Sequence, residues 1–344
     1  EAALNGTRLD PLTTGQEHFH GYFTRTDDGH YYAIAGHNQI NVIEVDGIER
    51  FRRREGTITV TAEDLRRVRQ IEVARERKKL RSRSPIVYCL RSKQPPEIDG
   101  ELEDGEWPDL TPLPGRDRVG FAAAWDRRNL YLCWRGAGNL SNSGEQFQRY
   151  FKTGGCLDFK MQTDPDARPG RTRPVRGDLR LLITWVEDRP EAVLYEPVAP
   201  GAPPEESWST RTRAMGETRF DRVVRLRRVR IVRGEGGVEA AVPLESIGLE
   251  PRKGMRVKMD WGVLVSAAGR AVQQRLYWAN RLANGTSDVA LEARLKPHLW
   301  GHMIFAGTKK PGSGPSLEQE GPALIGEKKE EMGEEEIEDL LLGE

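Results

Sequence analysis

A chain of 344 residues with 37% hydrophobic and 31% charged side chains is long for one domain and comfortable for two. Its 53 basic and 53 acidic residues cancel, so no global field exists to hold nucleic acid or an anionic membrane, and neither is expected as a partner. No apolar run approaches the length of a membrane span. The three cysteines, Cys89, Cys133 and Cys156, form no CxxC pair, which argues against a zinc site; an odd count excludes a fully paired disulfide framework.

Residues 1–61 read as a β fragment. Short alternating runs such as Tyr31–Gly36 are punctuated by the turn pairs Asp28-Gly29 and Asp46-Gly47, giving three or four strands. So few strands bury too little apolar surface to stand alone. His18 and His20, two apart on one strand face, form a candidate metal pair that His30 or His37 would complete. Residues 62–94 follow as a basic linker. Thr61 serves as N-cap, Leu65, Val68, Ile71 and Val73 give a partial stripe, and Arg75, Arg77, Lys78 and Lys79 sit where the helix dipole favours cations. A helix over 62–80 is predicted.

From Pro95 to Phe305 the apolar segments are short and of strand length: VGFAAAW (119–125), NLYLCWR (129–135), CLDFKMQ (156–162), DLRLLITWV (178–186), GVEAAVPL (237–244), RVKMDWGVLVS (256–266) and RLYWAN (275–280). Eight or more such strands without a long helix between them predict an all-β fold, an antiparallel β-sandwich of jelly-roll-like form with no helix beyond about 11 residues. The Pro-rich stretch 186–215 reads as an excursion between strands. Residues 306–344 pass through linker composition into the acidic EKKEEMGEEEIEDLLLGE and are expected to be a disordered tail with few contacts to the sandwich. There is no GxSxG, HExxH, GxxxxGK[ST] or GxGxxG in a suitable place, which moves the expectation from catalysis toward binding. Eight Trp form a large complement of potential ring platforms, though Trp125 and Trp134 read as core. The chain starts without Met or a signal peptide and is read as a piece of a longer protein.

Five segments in order resemble the family 9 carbohydrate-binding modules and their wider DOMON-like relatives: PPEIDGELEDGEWPDLTPL (95–113), WDRRNLYLCWRG (125–136), GGCLDFKMQTDP (154–165), GVEAAVPLESIGLEPRKGMRVKMDWGV (237–263) and RLYWANRLANGTSDVALEARLKPHLWG (275–301). AIAGHNQINVIEVDGIERFRR (33–53) resembles the last strands of a β-propeller of the NHL or PQQ-like kind, whose upstream blades would be a partner within the same protein. The resemblance implies a non-catalytic module of a larger extracellular or periplasmic protein that binds carbohydrate. It places a carboxylate on Asp158, where the family has Glu, an arginine on Arg180, and an aromatic clamp on Trp278 beside Asn280. The second clamp residue, a Trp in the family, is replaced by Phe147, Tyr150 or Phe151. A structural calcium is implied near Asp99, Asp104 and Asp126, turn acids that need no metal to explain them. Some DOMON-like domains bind haem b, and Met161 and Met259, with Lys160 and Lys258, are the residues that alternative would draw on. A third reading is a purely structural module docked on the propeller.

Overall fold

The computed structural model describes residues 84–309 apart from 103–104, 213–215, 267–268, 270 and 287–288, together with helical positions 70, 73–76 and 78–79 and the backbone of four strands near the N-terminus. The chain divides into two units, residues 1–72 with 210–217, and residues 73–209 with 218–344. In the first, β1 (Thr7–Leu9), β2 (His20–Arg25), β3 (Tyr31–Gly36) and β4 (Asn41–Glu44) pair antiparallel in sequence order. Of the candidate metal ligands, His18, His30 and His37 lie outside the described residues, as does the acidic tail beyond 309.

The second unit is built on one 13-stranded sheet. Its strands begin with β5 (Ile86–Arg91), β6 (Thr111–Leu113), β7 (Arg116–Trp125), β8 (Asn129–Arg135), β9 (Cys156–Gln162), β10 (Asp178–Val186) and β11 (Arg189–Glu196). A separate two-stranded piece, β12 (Trp208–Thr212) with β13 (Gly216–Phe220), comes next in the chain. The sheet then continues with β14 (Arg222–Arg225), β15 (Arg230–Arg233), β16 (Val238–Pro243), β17 (Arg256–Val265), β18 (Gln274–Tyr277) and β19 (Gly301–Ala306). The main path runs β14-β11-β10-β9-β17-β19-β5-β7-β8-β16-β15, with β18 beside β17 and β6 beside β7.

The two ends of that path are neighbours in sequence, joined only by residues 226–229. Laid flat, ten strand spacings would separate them by about 48 Å. The link between β14 and β15 reaches about 18 Å at most. The sheet must therefore curl until its edges approach, which makes a sandwich of a single sheet folded over one core.

Alternation does the rest. On β9, Leu157, Phe159 and Met161 point inward; on β10, Leu179, Leu181, Ile183 and Trp185; on β17, Val257, Met259, Trp261 and Val263. They meet Val87, Cys89, Phe121, Leu130, Leu132 and Trp134 from the other half, and Phe121 stacks on Trp261 at 5.3 Å between ring centres. The outer face of the same central strands is covered as well. Here Leu182, Val193, Tyr195, Val223, Leu264 and Tyr277 pack under Phe220 of β13 and under two short helices, α1 (Tyr150–Thr153) and α2 (Val289–Ala293). Two-sided cover explains why every residue of β9 is buried.

The structure agrees with the expected all-β class, and the described helical segments between residues 95 and 305 run only three to five residues. Three details differ. The sheet is mixed, because β5 pairs parallel to both β19 and β7. The β5 strand lies in the segment read as linker, so the sandwich begins before Pro95; its partners are over 200 residues away in one case, beyond any local signal. The Pro-rich excursion contains β11, which completes a hairpin with β10 through Glu187 and Asp188, both at positive φ.

Trp278 belongs to the inner core at 6% exposure, and its backbone N–H donates to the Trp261 carbonyl at 2.9 Å. Its ring lies against Gly301, where a Cβ would overlap Cζ3 and stand 2.8 Å from the Pro85 carbonyl oxygen. Trp278→Ala should cost about 3–5 kcal/mol and Gly301→Ala about 1–3 kcal/mol by urea denaturation. Because the two share one contact, the double variant should fall short of the sum by at least about 0.5 kcal/mol. Additive losses would show that ring and glycine do not touch.

Candidate functional site

The outer face of the central strands carries charges where a covered sheet would ordinarily carry apolar groups. Asp158 and Lys160 project from β9, Arg180 from β10, Asp260 from β17, and Arg275 and Tyr277 from β18; each is at most 5% exposed. Lys160 lies opposite Arg180 in one pairing and opposite Asp260 in the other. Asp158 is thus the diagonal neighbour of Arg180, a distance a guanidinium spans. Arg180 Nε donates to Asp158 Oδ1 at 3.0 Å and Nη2 to Oδ2 at 2.7 Å, a two-pronged contact. Tyr277 Oη donates to Asp158 Oδ2 at 2.6 Å, and Lys160 Nζ stands 3.5 Å from the same oxygen and 3.6 Å above the Tyr277 ring centre.

A missing side chain makes this possible. Gly262 on β17 lies between Asp158 and Tyr277 in register. A Cβ there would overlap the Tyr277 ring and the Leu276 carbonyl oxygen. Without it, the phenol lies across β17 and reaches β9.

Electrostatics follow from burial set against pairing. Burial alone would raise the Asp158 carboxyl, but the Arg180 guanidinium and Lys160 outweigh it and hold it well below the usual carboxylate range. Burial pulls Lys160 down to about 8, against the attraction of Asp158. Asp260 is pushed up to about 6 by burial, opposed by Lys160 and by the N–H groups of Ala279 and Asn280. Its Oδ1 accepts from Trp261 N at 2.9 Å and Ala279 N at 2.8 Å, and its Oδ2 from Asn280 N at 3.0 Å. Asp260 therefore fixes the backbone that follows β18.

The cluster extends to the two helices. Glu292 on α2 faces Arg275 Nη1 at 2.7 Å and Lys152 Nζ at 3.1 Å, and its backbone oxygen accepts from Arg180 Nη1 at 3.1 Å. Phe151 and Tyr195 flank the Arg180 guanidinium at 4.6 and 5.9 Å from their ring centres. Tyr150 Oη turns away to Glu191 at 2.8 Å.

Of the residues singled out in the sequence, Asp158, Arg180 and Phe151 are together, with Tyr150 adjoining. Trp278 lies on the inner side of the sheet, with no face open at this cluster. Asn280 is 6% exposed at the end held by Asp260, and its Oδ1 has no hydrogen-bond partner among the described residues. Arg275, Tyr277, Lys152 and Glu292 carry no reading in the sequence analysis, and Lys160 only the haem one. The two-residue spacings Asp158–Lys160 and Arg275–Tyr277 were the available signal, since they put each pair on one strand face.

Met161 and Met259 are cross-strand neighbours in the inner core, while Lys160 lies on the outer face and Lys258 donates to the Trp300 carbonyl at 2.8 Å. Asp99 Oδ1 accepts from Glu101 N at 2.9 Å. Asp126 Oδ1 accepts from Arg128 N and Asn129 N, both at 2.7 Å, and its Oδ2 takes the Tyr131 hydroxyl at 3.0 Å. Both acids thus cap their own turns; Asp104 lies outside the described residues. Asp126 also borders a groove of about 620 Å³ that includes Arg91, Trp125, Arg127, Glu245 and Arg252. All three cysteines are buried free thiols.

No family model and no curated protein matches this chain. Among solved structures, it is similar to a family 9 carbohydrate-binding module from Caldicellulosiruptor kristjanssonii in complex with glucose, at 14% identity and a TM-score of 0.39, covering 67% of this chain and 100% of that one. The same organism's family 9 module with cellotriose overlaps at 14% identity and a TM-score of 0.38, over 67% of this chain and 99% of that chain. A Bacteroides uniformis protein assigned provisionally to carbohydrate binding overlaps at 15% identity and 0.34, over 64% and 99%. At that level of similarity the site chemistry has to stand on the residues described above.

Two outcomes are expected from this geometry. Arg180→Met leaves the buried Asp158 with the Lys160 ammonium as its one remaining cation and should cost about 3–5 kcal/mol at neutral pH. The wild-type share from Asp158, whose carboxyl is lowered from its ordinary 3.8, is full above that value and is lost as the pH falls further. Denaturation at pH 7 and pH 3 should show the gap between wild type and variant narrowing in acid; a gap that does not change with pH would mean Asp158 is not the group Arg180 holds. Gly262→Ala should displace the Tyr277 hydroxyl from Asp158 and cost about 1–3 kcal/mol in the same assay. A neutral effect would remove Gly262 from the account.

Proposed function

We propose that the strand-rich unit is a non-catalytic carbohydrate-binding module of a larger protein, with its ligand groups on the outer face at Asp158 and Arg180. The observation that carries this reading is the rigid two-pronged Asp158–Arg180 pair with Phe151, Tyr195 and Tyr277 around it. Vicinal hydroxyls of a pyranose match paired donors and acceptors of this kind, and its C–H face suits an aromatic wall. The ordered motifs in segments 95–301 support the same class. In this reading Phe147–Thr153 and α2 move aside to admit the sugar.

A second reading, a structural module that takes no small molecule, is favoured by one observation. Asp158, Arg180, Tyr150 and Phe151 have no exposed surface, and Trp278 and Asn280 only 6% each. Isothermal titration of the whole chain against neutral and acidic mono- to trisaccharides separates the two. The carbohydrate reading expects saturable binding to one sugar class and a rise in Tm with ligand concentration. It also expects Arg180→Lys, which keeps the charge and loses the fork, to weaken binding about tenfold or more. Silence across the panel would leave the structural reading standing.

A further inference from the structure

The groove beside Asp126 lies at the end of the sandwich where β5, β7 and β19 finish, and none of its lining residues belongs to the outer-face cluster. Arg91 closes β5, Trp125 closes β7, Arg127 lies in the turn between β7 and β8, and residues 244–252 supply the opposite wall before β17. Hydrogen bonds hold these pieces in place. Leu244 N donates to the Arg128 carbonyl at 2.9 Å, Ser92 N to the Trp125 carbonyl at 2.8 Å, and the Trp125 indole to the Ala306 carbonyl at 3.1 Å. The Arg91 guanidinium stands 5.5 Å from the Trp125 ring centre, a stacking contact that restricts its side chain.

The cations here exceed the acids available to meet them. Asp126 is spent on its own turn and on the Tyr131 hydroxyl, and Glu245 lies 2.7 Å from Arg228, which is not part of the lining. Glu250 stands 3.9 Å from Arg252, at the outer limit of an ion pair, with both side chains exposed. Arg91 and Arg127 have no acidic partner among the described residues. Lys253 adds a further cation at the rim, its Cε 3.5 Å from the place a Cβ on Gly307 would take. Exposed guanidinium forks of this kind accept carboxylates in two-pronged pairs.

The chain itself brings a matching segment to this spot. β19 ends at Ala306 against the Trp125 indole, and the next carbonyl, of Gly307, accepts from Arg91 N at 3.0 Å. Lys309 is the last described residue; 20 residues later comes EEMGEEEIED (330–339), with seven acids and no base. Twenty residues reach about 66 Å when extended, far more than a return to the groove requires. Exposed ion pairs are weak singly, but a tethered partner is present at an effective concentration on the order of millimolar, so a few acting together suffice. We propose that the groove is a docking site for an acidic peptide segment, and that its occupant is this chain's own residues 330–339. Arg91 and Arg127 take two of the carboxylates, and Arg252 and Lys253 add to the hold at the rim. An acidic segment of another protein then binds only by displacing this one. The proposal does not rest on the carbohydrate reading.

The test treats the whole chain with a water-soluble carbodiimide, which joins the Lys253 amine to a carboxylate it touches, and reads the joined residues by mass spectrometry. At low salt Lys253 should be joined to acids of 330–339. Raising the salt to about 1 M, where screening acts within about 3 Å, should cut that yield about tenfold or more. Arg91→Gln with Arg127→Gln should cut it about tenfold at low salt, the effect of losing two exposed pairs. An unchanged yield in that variant would remove the groove from the account, and no product between Lys253 and 330–339 in wild type would overturn the proposal outright. A mixture of isotope-labelled and unlabelled chains identifies the source of the segment. Products confined to one isotope form are expected; mixed products in equal share would put a second copy's segment in the groove and overturn the intramolecular assignment. Should the double arginine variant melt lower than wild type, Glu334→Gln, Glu335→Gln and Glu336→Gln together leave the sandwich sequence untouched. They should cut the joining of Lys253 to the remaining acids of 330–339 by a similar factor, and an undiminished yield would refute the charge pairing.

Discussion

The central strands of the sandwich are covered on both faces, and the rest of the second unit is arranged around that constraint. One face of β9, β10 and β17 is apolar and forms the core. The other carries charged groups that water cannot reach, so each must find its counterpart inside the protein. That requirement fixes side chains across several strands at once. The Asp158–Arg180 fork ties β9 to β10, Tyr277 reaches Asp158 across Gly262, and Asp260 holds the backbone after β18.

Such a face is not the cheapest way to cover a sheet. Desolvating two charges takes back most of what their attraction returns, and well-packed apolar residues of similar volume commonly serve as well or better. The outer cluster therefore reads as a specialised surface. The opposite half of the curled sheet makes the contrast plain, since on its outer face Ala124 and Tyr131 cluster with Ile98 and Trp107 from the loop before β6. There the buried Glu239 has a simple task, receiving the N–H groups of Asp99 and Gly100 and the Trp107 indole, which pins the loop leading to β6.

Much of this was legible in the sequence, for reasons that are local. Short alternating segments marked most strands, and DLRLLITWV beside CLDFKMQ placed Asp158 and Arg180 on consecutive strands. What remained hidden depended on distant partners. Nothing near Ile86–Arg91 announces parallel neighbours at 301–306 and at 124–125. Trp278 looked like an open platform at a strand end; the glycine that lets it sink into the core is Gly301, more than twenty residues on. Tyr277 joined the cluster only because Gly262, on another strand, has no side chain. Burial of a residue is decided by what covers it, and neither α1 nor α2 has a sequence signal strong enough to show which face it closes.

The parallel ladder between β5 and β19 has a mechanical meaning. The chain enters the ladder at Ile86 and leaves it at Ala306, at opposite ends of two strands that run the same way. A pull between those two points slides β5 along β19, and the rungs from His302–Ile86 to Ala306–Leu90 bear the load together rather than opening one after another. With β7 parallel on its other side, β5 is gripped on both edges. If this unit tethers a larger protein to a polymeric ligand, tension along the chain meets the sheet in shear, the direction in which a ladder of hydrogen bonds yields least readily.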